Sequence, residues 1–224
     1  MSVLDRDMHA ATFHKSSVNI YTKSSEKMDE LKEETVDLVV TSPPYINNFD
    51  FAEMTRMYLY FWNMASSWRE ITDQVRSRLI VNTTTALRKE HREHQQEYRD
   101  TLPDNLRLEA DAVVASLFEK RRERAGKKDY HLLIYPYFSQ MQQVIREVHR
   151  VLKRGASFHM MVSDAALYGV HVHAPQWLAR IMTGCGFCDV QCELVRPRGH
   201  RWVLDKREGS AQGLGEYYVF ARAS

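Results

Sequence analysis

Glycine is scarce in this chain, with 9 among 224 residues. Nowhere do two of them follow an apolar strand and open a helix, the setting in which a glycine-rich loop lets backbone come close to a ligand. Gly184-Cys185-Gly186 falls in a helix-to-strand turn, and Gly213-Leu214-Gly215 precedes the last expected strand. Cysteine is rarer still. Cys185, Cys188 and Cys192 lie close together, but no fourth ligand follows at a zinc-like interval. They read as reduced, partly buried thiols, and no metal is expected. Long apolar runs are missing too: none approaches the ~20 residues needed to span a bilayer. Met1 to Lys15 carries charges and histidines where a secretory peptide would have an apolar centre. The expectation is a cytoplasmic protein without membrane contact. Neither sign of charge dominates, with 31 Lys and Arg against 29 Asp and Glu. Nucleic-acid binding would therefore rest on a local basic patch.

What is present is concentrated in Ser42-Pro43-Pro44-Tyr45. The preceding run, Val36-Asp37-Leu38-Val39-Val40-Thr41, is short, apolar and β-branched, which predicts a parallel strand covered on both faces. Two prolines cannot donate ladder hydrogen bonds, so the strand ends there. They hold Ser42, Pro43 and Pro44 stiffly, with carbonyl oxygens turned free for a ligand. In an open α/β sheet such a strand end is where ligands bind. An amino group on a heteroaromatic ring is a poor nucleophile, because its lone pair is delocalised. Acceptors such as the Ser42 hydroxyl and the Pro43 carbonyl would favour a pyramidal, reactive nitrogen. Pro44 would fix the turn, and Tyr45 offers a face for stacking. A strand-ending turn without function, or a proline-rich ligand for an adaptor domain, is the plain alternative.

Two stretches resemble the amino-methyltransferases of DNA, the N4-cytosine and N6-adenine group. They are Asp37-Leu38-Val39-Val40-Thr41-Ser42-Pro43-Pro44-Tyr45 and Val148-His149-Arg150-Val151-Leu152-Lys153-Arg154-Gly155-Ala156. Arg154 and Ala156 stand where the family usually has Pro and Gly. Thr22-Lys23 stands where it often has Gly-Asp. The resemblance implies an α/β fold with a partial Rossmann-like methyltransferase sheet. It also implies S-adenosylmethionine as methyl donor, DNA as partner, a base flipped out of the duplex, and a place in restriction-modification. Serine at the first motif position points to cytosine N4, with adenine N6 as the alternative. The family's glycine-rich donor loop is not found. The chain therefore reads as the acceptor side of a split enzyme, or as a truncated product or excerpt of a longer protein, with a second polypeptide or self-association as the expected complement. A non-catalytic DNA-binding relative and an RNA or small-metabolite methyltransferase remain alternatives.

The chain reads as one unit, 1–224, with a charged, mainly helical insert at about 69–129. Val18 to Tyr21 predicts a strand, and Ser24 to Leu31 a short helix capped by Ser25. Asn47 and Asn48 either hydrogen-bond a base edge or make a turn. Met54, Met57, Tyr58, Phe61 and Trp62 recur at helical spacing and predict a core-facing stripe. In the insert, Leu106 to Arg124 predicts an amphipathic helix. The run Lys120 to Lys128 is a solvated face or, more sharply, a phosphate-contacting arm. A long helix is expected from Tyr137 to Leu152, stopped by Gly155. Strands follow at Ser157–Val162, Asp189–Val195 and Tyr217–Ala221, with a helix opened by Pro175 between the first two. Arg196, Arg198, His200 and Arg201, with Trp202 among them, form a basic aromatic loop suited to DNA contact or, more plainly, to solvent.

Overall fold

A computed structural model describes residues 17–123, 128–199, 203–204, 206 and 211–224. The fold is α/β, built on a mixed four-stranded sheet in the order β1-β2-β6-β5. These strands are β1 (Val36–Thr41), β2 (Leu152–Ser163), β5 (Phe187–Pro197) and β6 (Gly215–Ala223). A small hairpin of β3 (Ala165–Leu167) and β4 (Val170–Val172) leaves the end of β2. β1 runs parallel to β2, whereas β6 is antiparallel to both β2 and β5.

Alternation along the strands decides which face is covered. Phe158, Met160 and Val162 of β2, with Val219, Ala221 and Ala223 of β6, are buried on one face. Against them lie α6 (Ile134–Val151) and α7 (Ala174–Gly184), whose apolar sides supply Phe138, Met141, Ile145, Trp177, Leu178 and Ile181. Burial of such a side chain stabilises by roughly 1.5–3 kcal/mol. Pro175 sits in the first turn of α7, where its missing N–H costs nothing.

Between β1 and α6 come α1 (Phe51–Phe61), α2 (Trp68–Gln74), α3 (Lys89–Glu93), α4 (Gln95–Thr101) and α5 (Asp104–Glu123). The segment read as an insert is joined to the main core. Leu102, Leu106, Ala110 and Leu117 are fully buried in the same cluster as the sheet. Glu109 of α5 accepts from the indole N–H of Trp177 at 2.9 Å and from Arg180 at 2.7 Å. The charges at the end of α5 find carboxylates: Arg121 pairs with Asp129 at 2.6 Å, and Arg122 with Glu119 at 3.4 Å. Asp129 also takes Arg92 at 2.7 Å. This is an ion-paired surface. Arg124 and Lys127 lie outside the described residues.

Several local expectations are corrected. Residues 17–22 form no strand, and Val18, Ile20 and Tyr21 are exposed, because no neighbouring strand pairs with them. Ser24 to Leu31 makes turns. They are held by Glu147 and Arg150 of α6: the Met28 N–H donates to Glu147 at 2.8 Å, and Arg150 donates to the carbonyls of Met28 and Leu31. The long helix ends at Val151 and passes directly into β2. Gly155, at φ +75°, sits where the β1–β2 register shifts. Its left-handed backbone serves a bulge and stops no helix. β1 is an end strand with Leu38 and Val40 exposed, so it is not covered on both faces. The stripe of α1 faces outward: Met54, Met57, Tyr58, Phe61 and Trp62 are all exposed. Only Ala52 and, in part, Leu59 turn inward, against Ala65 and Ile71.

Candidate active site

The carboxyl ends of β1 and β2 lie side by side, since Thr41 is in register with Met160. Ser42-Pro43-Pro44-Tyr45 leaves one, and Ser163-Asp164 leaves the other. Ser42 is exposed, Pro43 is buried, and Pro44 and Tyr45 are half-buried. One of the three carbonyls expected to be free is taken. The buried Tyr137 hydroxyl, from the first turns of α6, donates to the Pro44 carbonyl at 2.8 Å. Burial pushes the Tyr137 phenol far above its usual range, with the neighbouring Tyr45 adding to the effect, so it stays a protonated donor.

The loop beyond Tyr45 is pinned from the segment read as an insert. Asn82 is 3% exposed. Its side-chain amide donates to the carbonyls of Asn48 at 2.6 Å, Phe49 at 2.9 Å and Tyr45 at 3.3 Å. Three carbonyls around one end of the amide identify that end as NH2. The Asn82 carbonyl in turn accepts from the Asn47 N–H at 2.5 Å. These contacts hold Asn47 and Phe49 at φ +53° and +48°, a region unfavourable for residues with a Cβ. Asp50 completes the clamp. It caps α1 through the N–H groups of Ala52 and Glu53, and accepts from Arg76 and Thr85, both at 2.7 Å. Burial alone would raise the Asp50 carboxyl. The hydrogen bonds from Thr85, the Glu53 N–H and Arg76 outweigh it and hold the group below the usual carboxylate range.

On the other side, buried Asp164 accepts from the Gly215 N–H at 2.7 Å and pairs with His171 at 2.7 Å. Arg198, just past β5, donates to the Ser163 hydroxyl at 3.1 Å. Burial lowers its guanidinium somewhat, while Glu216, Tyr45 and Asp164 act in the opposite sense. Arg196 is bound to Glu216 at 2.6 Å, and it too feels the Tyr45 phenol. Asn47, Asn48 and Arg198 line one small cavity with Ile46, Ala165, Ala166, Leu167 and Leu214. Its volume of about 60 Å³ admits water and no base.

Of the residues singled out by sequence, Ser42 to Tyr45, Asn47, Asn48 and Arg198 thus lie at one end of the sheet, and Arg196 lies at the same end on β5, the strand farthest from β1. His200 and Arg201 lie outside the described residues. Tyr137, Asn82 and Asp50 were missed. Tyr137 reads as an ordinary helix aromatic, and nothing in sequence separates Asn82 from a surface asparagine. Only the pairing across the fold assigns them a place.

Each of the two Gly-x-Gly turns has a glycine closed in by protein. A Cβ on Gly184 would lie 3.4 Å from Pro103, and one on Gly186 would lie 3.0 Å from His149. On Gly215 it would meet Leu194 at 2.5 Å. The space beside Gly186 and Gly215 is filled by protein, whereas Gly213 has only the Arg198 carbonyl within 4 Å, at 3.9 Å, so neither turn leaves both its glycines open for an S-adenosylmethionine loop. Among the described residues, no three His, Cys, Asp or Glu side chains are grouped to hold a metal ion. No helix there is long and apolar enough to cross a membrane.

No protein-family model matches the chain. Over 188 residues, 83% of its length, it is 27% identical to the Type II methyltransferase M.AvaI of Nostoc sp. (strain PCC 7120 / SAG 25.82 / UTEX 2576). It is equally similar to the protein of that name from Anabaena variabilis. The chain spans 38% of the length of each relative. Among solved structures, a protein described as a DNA modification methylase from Thermus thermophilus is 22% identical, over 38% of this chain and 36% of its own. Its TM-score of 0.28 is too low to bear on the arrangement of the sheet. The chain is thus similar to DNA methyltransferases.

Proposed function

We propose that this chain is the acceptor side of a DNA methyltransferase, holding the exocyclic amine of a flipped base, cytosine N4 before adenine N6. The observation that carries the reading is Ser-Pro-Pro-Tyr at the carboxyl end of a strand paired in parallel with β2, in a chain similar to Type II methyltransferases. The exposed Ser42 hydroxyl and the Pro43 carbonyl accept the two amine hydrogens and draw the nitrogen toward a pyramidal form. Pro44 takes no part in this, because its carbonyl is bound by Tyr137; it anchors the turn. Tyr45 stacks on the extruded base. Arg196 and Arg198, with His200 and Arg201 farther along the chain, contact the DNA backbone, where each cation neutralises a phosphate. Asn47 and Asn48 meet the base edge only if the small cavity they line opens to admit it. S-adenosylmethionine supplies the methyl group and binds outside the residues described above. No metal enters this scheme. The domain reading is a single acceptor-side unit, with the partial sheet Rossmann-like in kind.

The protein packed beside Gly186 and Gly215 favours a second reading, a DNA-binding module without catalysis. One experiment separates the two. The chain is expressed in a host free of DNA modification, together with the part of the Nostoc relative outside the matched stretch. Nucleosides are then analysed by mass spectrometry. N4-methylcytosine is expected and is lost in Ser42→Ala; N6-methyladenine would select the other base. No methylated nucleoside, from a chain that still binds duplex DNA, would leave the module.

A further inference from the structure

A parallel strand pair belongs in the interior of a sheet covered on both faces. Here the parallel pair lies at the end. β1 has a neighbour only in β2, so one row of its backbone N–H and C=O groups is unpaired among the described strands. Natural edge strands are blunted by charges, prolines or bulges along their length. β1 carries four apolar residues and a single charge, Asp37, tied to Lys153 at 2.7 Å. Leu38 is 53% exposed and Val40 71%. In register with them on the same face are Ser157 and His159 of β2, and then Arg222 and Phe220 of β6. α6 and α7 both pack on the opposite face. The chain leaving β1 then enters α1, whose Met57, Phe61 and Trp62 are each at least 66% exposed.

We infer that the free edge of β1 and the face bearing Leu38 and Val40 form a docking surface for a second α/β polypeptide. That polypeptide adds a strand parallel to β1 and lays helices over the uncovered face. An unpaired edge calls for a strand, and an uncovered apolar face calls for a helical layer. A second copy of this chain satisfies only the first demand. About a two-fold axis normal to the sheet, β1 would meet β1 antiparallel, and both uncovered faces would lie on the same side, still without helices. The relatives have more than half their length outside the matched stretch, ample for such a unit. Naming this partner as the donor-carrying part rests on the acceptor-side reading; the surface itself does not.

The probe is the part of the Nostoc relative that lies outside the matched stretch, produced as a separate polypeptide. Light scattering should find this chain monomeric alone and in a one-to-one complex with the probe. Hydrogen exchange at Val36–Thr41 should slow at least tenfold in the complex. Val40→Lys and Leu38→Lys should weaken association at least tenfold. Leu108→Lys, at an exposed position on α5, should leave it unchanged. A stable homodimer with β1 protected, no association, or a complex that leaves β1 exchanging freely would each overturn the inference. Association without DNA methylation would sink the acceptor-side reading and keep the surface. Methylation that survives Val40→Lys unimpaired would do the reverse.

Discussion

Replacing Asn82 by Ala removes one buried side-chain amide and nothing else of size, yet three carbonyls lose their donor together. The two N–H groups of that amide serve Asn48 and Phe49 at 2.6 and 2.9 Å, with Tyr45 at 3.3 Å as a shared, weaker acceptor. At a net 0.5–1.5 kcal/mol for each hydrogen bond, the loss is about 1–3 kcal/mol. The main-chain bond from the Asn47 N–H to the residue-82 carbonyl survives the substitution. The left-handed conformations of Asn47 and Phe49 then have less to hold them, which also favours opening. A change of about 2 kcal/mol raises the open population of the loop roughly 30-fold. Native-state amide exchange at Asn47 and Asn48 should accelerate by that factor, while the amides of α7 keep their rates. Asn82→Asp should open the loop further, since a carboxylate cannot donate to the three carbonyls. Unchanged exchange at Asn47 and Asn48 in Asn82→Ala would refute the clamp.

Three further outcomes are expected. Tyr137→Phe leaves the Pro44 carbonyl without its partner and should cost about 1 kcal/mol in urea unfolding. On the acceptor-side reading it should also slow methyl transfer with DNA affinity retained, and full transfer would remove Tyr137 from the site. Glu109→Ala strands the fully buried Trp177 indole N–H and should cost about 1–3 kcal/mol by tryptophan fluorescence, with Glu109→Gln recovering most of it. Equal losses in the two variants would mean that packing, and not this hydrogen bond, sets the cost. Because the folded Asp50 carboxyl titrates below its unfolded value near 3.9, its contribution is complete above that pH and fades as acid protonates the folded group. The stability gap between wild type and Asp50→Asn should therefore be constant near neutrality and shrink below about pH 4; a gap undiminished in acid would contradict the depressed carboxyl.

Local pattern in the sequence determined a good deal. The β-branched run before Ser42, the proline stop, the amphipathic spacing in α5 and α6, and Pro175 opening α7 are each written within a few neighbouring residues. They correspond to β1, α5, α6 and α7. Gly155 misled, because a left-handed glycine serves a helix end and a strand bulge alike. The stripe of α1 misled for a deeper reason. Spacing shows that Met54, Met57, Tyr58, Phe61 and Trp62 share a face, but whether anything covers that face depends on atoms elsewhere, and here nothing described does. The same holds for Leu38 and Val40, and for Val18 and Ile20, strand-like residues without a strand to join. Only the tertiary structure decided that Tyr137 and Asn82 hold the backbone around Ser42 to Phe49, since hydrogen bonds that cross 93 and up to 37 residues of chain leave no periodicity to read.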